Sequence, residues 1–183
     1  ANYLARELAD SFPILYTGNE GLVAHECILD LRELTDASGV TAADVAKRLI
    51  DFGFHAPTLA FPVAGTLMVE PTESEDITEL NRFIEAMRTI RAEIQEIIDG
   101  KVEYEESVIR HAPFTALSVS SDDWEYSFSR EKAAWPVSSL RLNKYFPPVR
   151  RLDEAYGDRN LVCSCPPPEA FDFDADNNSN EEA

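Results

Sequence analysis

Between residues 23 and 75 the chain changes its hydrophobic period from strand to helix and back, and this limits the folds open to it. Over residues 23–31, Val23, His25, Cys27, Leu29 and Leu31 share one face, and Ala24, Glu26, Ile28 and Asp30 the other. The first set is the more apolar. A strand is therefore predicted with His25 on its buried side and Glu26 opposite, an arrangement that forbids a simple acid–base pair between them. Gly39 closes a loop. Thr41 then opens a helix, with Asp44 completing a capping box and Val45, Ala46, Leu49 and Ile50 forming its apolar face. Gly53 stops that helix where a left-handed residue is often needed. Residues 58–61 and 66–70 read as short strands joined through Pro62-Val63-Ala64-Gly65, and Thr72 with Glu75 fits a second capping box.

The capping box leads into a helix over residues 76–99. Ile77, Leu80, Phe83, Ile84, Met87, Ile90, Ile94, Ile97 and Ile98 step by three or four along one stripe up to Gly100. Upstream, residues 1–11 read as a helix ended by Pro13, and residues 14–16 as a short strand turning at residues 17–21 into the next. Tyr3, Leu4 and Leu8 already lie at helical spacing with no cap before them, so the chain reads as a fragment entered partway through a helix. The order sheet, helix, sheet, helix predicts an α/β (α+β) fold, a small sheet with helices on one face.

Past Gly100 the pattern changes. Seven of the eleven prolines lie beyond residue 112, among many aromatic residues and with weak periodicity. Such a segment suits an extended wrap over this domain or over another. The division is thus 1–103 as the α/β domain, 104–171 as a Pro/aromatic-rich extension, and 172–183 as an acidic disordered tail.

A net charge of −18 argues against nucleic acid and anionic membrane as partners. No apolar run reaches the ~20 residues that span a bilayer, and no signal peptide is visible. Three cysteines do not make a disulfide framework and point to a reducing compartment. Cys163-Ser164-Cys165 is a dithiol without the further ligands a metal needs, and Asp172, Asp174 and Asp176 start a calcium loop that fails at Asn177 and Ala183. No metal site is predicted. His25, His55 and His111 read as structural, and Gly18, Gly21 and Gly65 fall in neither glycine-rich phosphate-binding pattern. The residues alone define an acidic α/β domain without a self-sufficient active site.

Three blocks, His25 to Arg32, Asp44 to Pro57 and Phe61 to Glu75, resemble in order the C-terminal region of the glycine decarboxylase P-protein family. Tyr145-Phe146-Pro147-Pro148-Val149, Tyr156-Gly157-Asp158-Arg159-Asn160-Leu161 and Cys163-Ser164-Cys165-Pro166 resemble its closing blocks, for coverage of roughly residues 2–171. The sequence departs from commoner members at Cys27, usually aromatic, and at Phe114, usually histidine.

This resemblance implies fold type I pyridoxal-phosphate architecture. A large domain holds the cofactor on a lysine in a Ser-x-His-Lys setting, and the present domain closes over the cleft. None of Lys47, Lys101, Lys132 and Lys144 follows a histidine, so the cofactor lysine is expected elsewhere and no catalytic residue within this chain. The implied parent decarboxylates glycine and passes its aminomethyl carbon to the lipoyl arm of the H-protein, working as a homodimer or heterotetramer in a bacterial cytoplasm or a mitochondrial matrix. His25, Arg159, Cys163 and Cys165 are the candidate pocket- or channel-lining residues. Arg159 suits bidentate pairing with a carboxylate or phosphate, or a structural ion pair with Asp158 or Asp153. The alternative is a regulatory or interaction domain that kept the fold and lost the chemistry.

Overall fold

The computed structural model describes residues 1–162. They fall into two units, Ala1–Arg151 and a stretch beginning at Leu152. In the first unit, strands β1 (Ile14–Leu15), β2 (Cys27–Asp30), β3 (Thr58–Leu59) and β4 (Thr66–Val69) form an antiparallel sheet in the order β1-β2-β4-β3. Cys27 opposes Val69 and Leu29 opposes Leu67, and all four belong to the buried core. Helices α1 (Asn2–Leu8), α3 (Ala42–Asp51) and α4 (Ile77–Ile98) supply the core's other side through Leu4, Leu8, Val45, Leu49, Phe83, Met87, Ile90 and Ile94. This is the small sheet with a helical layer that the alternating periods predict.

Four local expectations change. The strand at residues 23–31 is shorter than its alternation suggests: ordering begins at Cys27, and His25 lies in the preceding bend with its side chain 72% exposed. No ladder holds residue 25 to one face, so the imidazole turns to solvent and reaches Glu26, Nε2 to Oε2 3.8 Å. The loop before Gly39 is a helix, α2 (Arg32–Ser38), which ends on Gly39 at φ +78°. Only Leu34 marks its packed side, too little for a helical period to show. The cap of α4 is Asp76, which accepts from the Glu79 N–H at 2.8 Å, while Thr72 and Ser74 share a hydroxyl bond. Asp76 and Glu79 repeat the Thr72/Glu75 spacing four residues on, directly against the first turn. Ile77, at the start of the predicted stripe, is exposed.

Residues 104–151 pack on the same domain. Ser107, Thr115 and Ser129 cap the short helices α5 (Val108–His111), α6 (Ala116–Ser120) and α7 (Arg130–Ala134), each hydroxyl accepting a first-turn N–H. Val108, Ile109, Phe114, Ala133, Ala134 and Leu140 are buried in the common core. Around Phe114 gather Trp124, Tyr126 and Phe128, with the Arg150 guanidinium over the Phe114 ring at 4.9 Å.

This segment also buries a charged face of α3. Asp44, Arg48 and Asp51 lie at i, i+4 and i+7 and so share one face of the helix. All three are buried, whereas Ile50, placed on the apolar face by the pattern, is only half-buried. Arg48 uses all five of its N–H donors: two to Glu93, one to Asp51, and one each to the carbonyls of Lys132 and Ala133. Asp51 also accepts the Phe114 N–H at 2.8 Å. Asp44 completes the capping box by accepting from the Thr41 N–H and hydroxyl, and it receives the Tyr104 hydroxyl and the Arg151 guanidinium. Arg151 further donates to the Ala112 and Ile109 carbonyls.

Candidate functional site

The strand register gathers the C-terminal ends of β1 and β4 and the N-terminal ends of β2 and β3 at one end of the sheet. Tyr16, His25, Glu26, His55 and Glu70 flank those ends in the sequence. There a cleft of about 350 Å³ opens between the sheet and the start of α4. Phe54, Met68, Leu80 and Phe83 contribute apolar surface, and the polar lining comes from His55, Glu70, Glu75 and Glu79 together with Thr58. The Phe54 ring is fixed by an edge contact from Phe83 and by the Arg82 guanidinium 4.8 Å above it. Arg82 also pairs with Glu79 and donates to the Phe52 carbonyl. The cleft wall is thus anchored on the end of α3 and the first turns of α4.

Among the described candidates, His25 comes nearest to this cleft, beside its rim and outside its lining. Its Nε2 stands 3.9 Å from Glu70 Oε1, an ion pair only when the ring carries a proton. Arg159 ends helix α8 (Glu154–Arg159) in the unit that begins at Leu152, with its side chain exposed. Asp153, one of its expected partners, caps that helix by accepting the Tyr156 N–H. Cys163 and Cys165 lie outside the described residues, as does the acidic tail. Cys27 is buried on the core side of β2, and burial pushes its thiol up to about 11, so it is inert at neutral pH. His111 is structural: Nε2 lies 2.9 Å from the Glu105 carbonyl, its ring packs on Tyr126, and burial lowers its pKa.

The periodicity marked neither the cleft nor Lys144. Lys144 Nζ donates to the Asp51 carbonyl beside the Phe146 ring, and burial lowers it to about 8. Among the described residues no group of three or more His, Cys, Asp or Glu side chains could hold a metal ion, and no helix is long and apolar enough to cross a membrane.

The family described as glycine dehydrogenase, C-terminal domain, matches residues 1–114. The chain belongs to that family. It is also similar to the glycine dehydrogenase (decarboxylating) of Cupriavidus metallidurans, at 61% identity over 167 residues. That match covers 91% of this chain and 17% of the relative, so the chain spans about a sixth of the relative's length. As a glycine dehydrogenase C-terminal domain, the chain can be tested for a seat for pyridoxal phosphate. Lys101 and Lys132 are paired with Asp99 and Glu96, and Lys144 is turned to the Asp51 carbonyl. Neither lysine nor arginine lines the cleft, and its three carboxylates repel a phosphate. This cleft does not fit the cofactor.

Proposed function

We propose that this glycine dehydrogenase C-terminal domain is the non-catalytic part of an enzyme that decarboxylates glycine and hands the aminomethyl carbon to a lipoyl H-protein. The observation that carries the proposal is the 61% identity across 91% of the chain to a protein named for that decarboxylation. Pyridoxal phosphate supplies the electron sink when bound to the parent, on a lysine that is not among the four here. The domain's own contribution is a stiff wall. Helices α3 and α4 are locked together by a buried ion pair and the sheet packs on them through the apolar core, and the domain helps to exclude water and to shape the entry for glycine and the lipoyl arm.

Exposed apolar side chains support a surface that meets the rest of such an enzyme. Tyr16 follows the edge strand β1, and Leu59 and Phe61 lie at the end of the edge strand β3 and just beyond it. Tyr16 and Ala60, at φ +60° and +58°, hold a left-handed backbone that non-glycine residues seldom adopt. A cytoplasmic or mitochondrial-matrix setting follows from the same reading.

The test is a chimera in which these residues replace the corresponding part of the Cupriavidus relative. Glycine-dependent carbon dioxide exchange within about tenfold of the parent supports the reading, a loss of about 1.4 kcal/mol or less in transition-state stabilisation. A folded, cofactor-loaded chimera with no exchange overturns it.

A further inference from the structure

The cleft at the end of β4 has an apolar floor and an acidic rim, and the function proposed above makes no use of it. Phe54, Met68, Leu80 and Phe83 make the floor. On the rim, Arg82 pairs with Glu79 and His25 stands 3.9 Å from Glu70, an ion pair only when its ring is protonated; among the described residues no lysine or arginine pairs with Glu70 or Glu75. A neutral apolar ligand would use the floor and leave the exposed rim carboxylates without a partner. An anion is repelled by them and by a chain of net charge −18. A metal ion lacks a set of three ligating side chains among the described residues.

We propose that this cleft is a docking site for a basic side chain carried on an apolar stretch of a protein partner. The alkyl stem of a lysine or arginine lies along the aromatic floor, and its charged head sits beside Glu70 and Glu75. Both features are needed, because lysine and arginine bury their stems on apolar surface while keeping the charge near polar groups. The volume of about 350 Å³ suits such a side chain together with an apolar neighbour.

The 183-residue chain, labelled with nitrogen-15, is titrated with the acetylated, amidated tetrapeptide Leu-Lys-Leu-Arg. The same peptide with glutamine, or with glutamate, at both basic positions serves as control. The basic peptide is expected to shift the backbone amides of Phe54, Ala56, Met68 and Glu70 ahead of the rest of the surface. Glu70→Gln with Glu75→Gln, both at exposed positions, weakens that binding about three- to tenfold. Equal binding of the glutamine peptide overturns the proposal. So do shifts spread over the acidic surface without focus on the cleft, or calcium chloride alone moving the same amides as far.

Discussion

Arg48 and Glu93, 45 residues apart on α3 and α4, meet as a bidentate pair with neither side chain reaching solvent appreciably: Nε to Oε2 is 3.0 Å and Nη2 to Oε1 is 2.7 Å. Burial opposes the charge on Arg48, but Glu93 and Asp51 outweigh it and raise the guanidinium pKa. The pair clamps the two principal helices, and the Lys132 and Ala133 carbonyls tie α7 to the same guanidinium. Glu93→Ala leaves two buried donors unpaired and is expected to destabilise the domain by about 3–5 kcal/mol. Glu93→Gln keeps the shape and one acceptor and should lose less. Urea midpoints at constant slope measure both, and an unchanged midpoint for Glu93→Ala would refute the clamp.

Asp44 gives the domain an acid-sensitive joint. Its burial works to raise the carboxyl pKa, but the Thr41 amide and hydroxyl and the Arg151 guanidinium outweigh it, so the folded value is below the ordinary one. A carboxyl lowered on folding contributes stability that is complete above its unfolded pKa of about 3.9 and is lost as pH falls towards the folded value. Stability of the wild-type chain therefore declines below about pH 4 partly through Asp44. Asp44→Asn is less stable at pH 7, and its loss relative to wild type shrinks with acid. A gap that stays constant from pH 6 to pH 3 contradicts this role.

The start of α4 can be located by substitution. Asp76→Ala removes the side chain that accepts the Glu79 N–H and is expected to cost about 1 kcal/mol. Thr72→Ala touches only a surface hydroxyl pair and should stay within about 0.5 kcal/mol. The opposite ranking in thermal melts would move the helix start back to residue 72.

Treatment with pyridoxal phosphate and then borohydride should leave no specific, stoichiometric lysine adduct on this chain. Burial lowers Lys144 to about 8, which favours its neutral amine at mildly alkaline pH. Its Nζ is held by the Asp51 carbonyl rather than presented to the cleft. Mass spectrometry of the reduced peptides checks this, and a stoichiometric adduct at any of the four lysines would show that the chain holds its own cofactor site.

Local chemistry made much of the fold legible. The Thr41/Asp44 capping box, the turn at Gly53, the paired short strands around Gly65 and the apolar stripe from Leu80 to Ile94 depend on neighbours within a few residues, and the structure forms them all. The hydroxyl caps at Ser107, Thr115 and Ser129 were equally present, but helices of four or five residues are too short for a period to show.

Burial is different, because it depends on what covers a surface. Nothing in the spacing of α3 marks Arg48 as buried; residues 104–151 fold over it and supply carbonyls and an amide to its network. His25 reads as buried until the strand proves to start at Cys27, four residues later than its alternation suggests. The cleft joins residues from α1, the α3–β3 connection, β4 and α4, segments brought together only when the sheet docks on its helices. By itself the sequence determined the order of the main strands and helices, the cap of α3 and the family, because periods, turns and capping are short-range. Tertiary structure alone decided which charges are dry, which histidine is free to turn outward and where an acidic rim meets an aromatic floor, because desolvation is set by long-range packing.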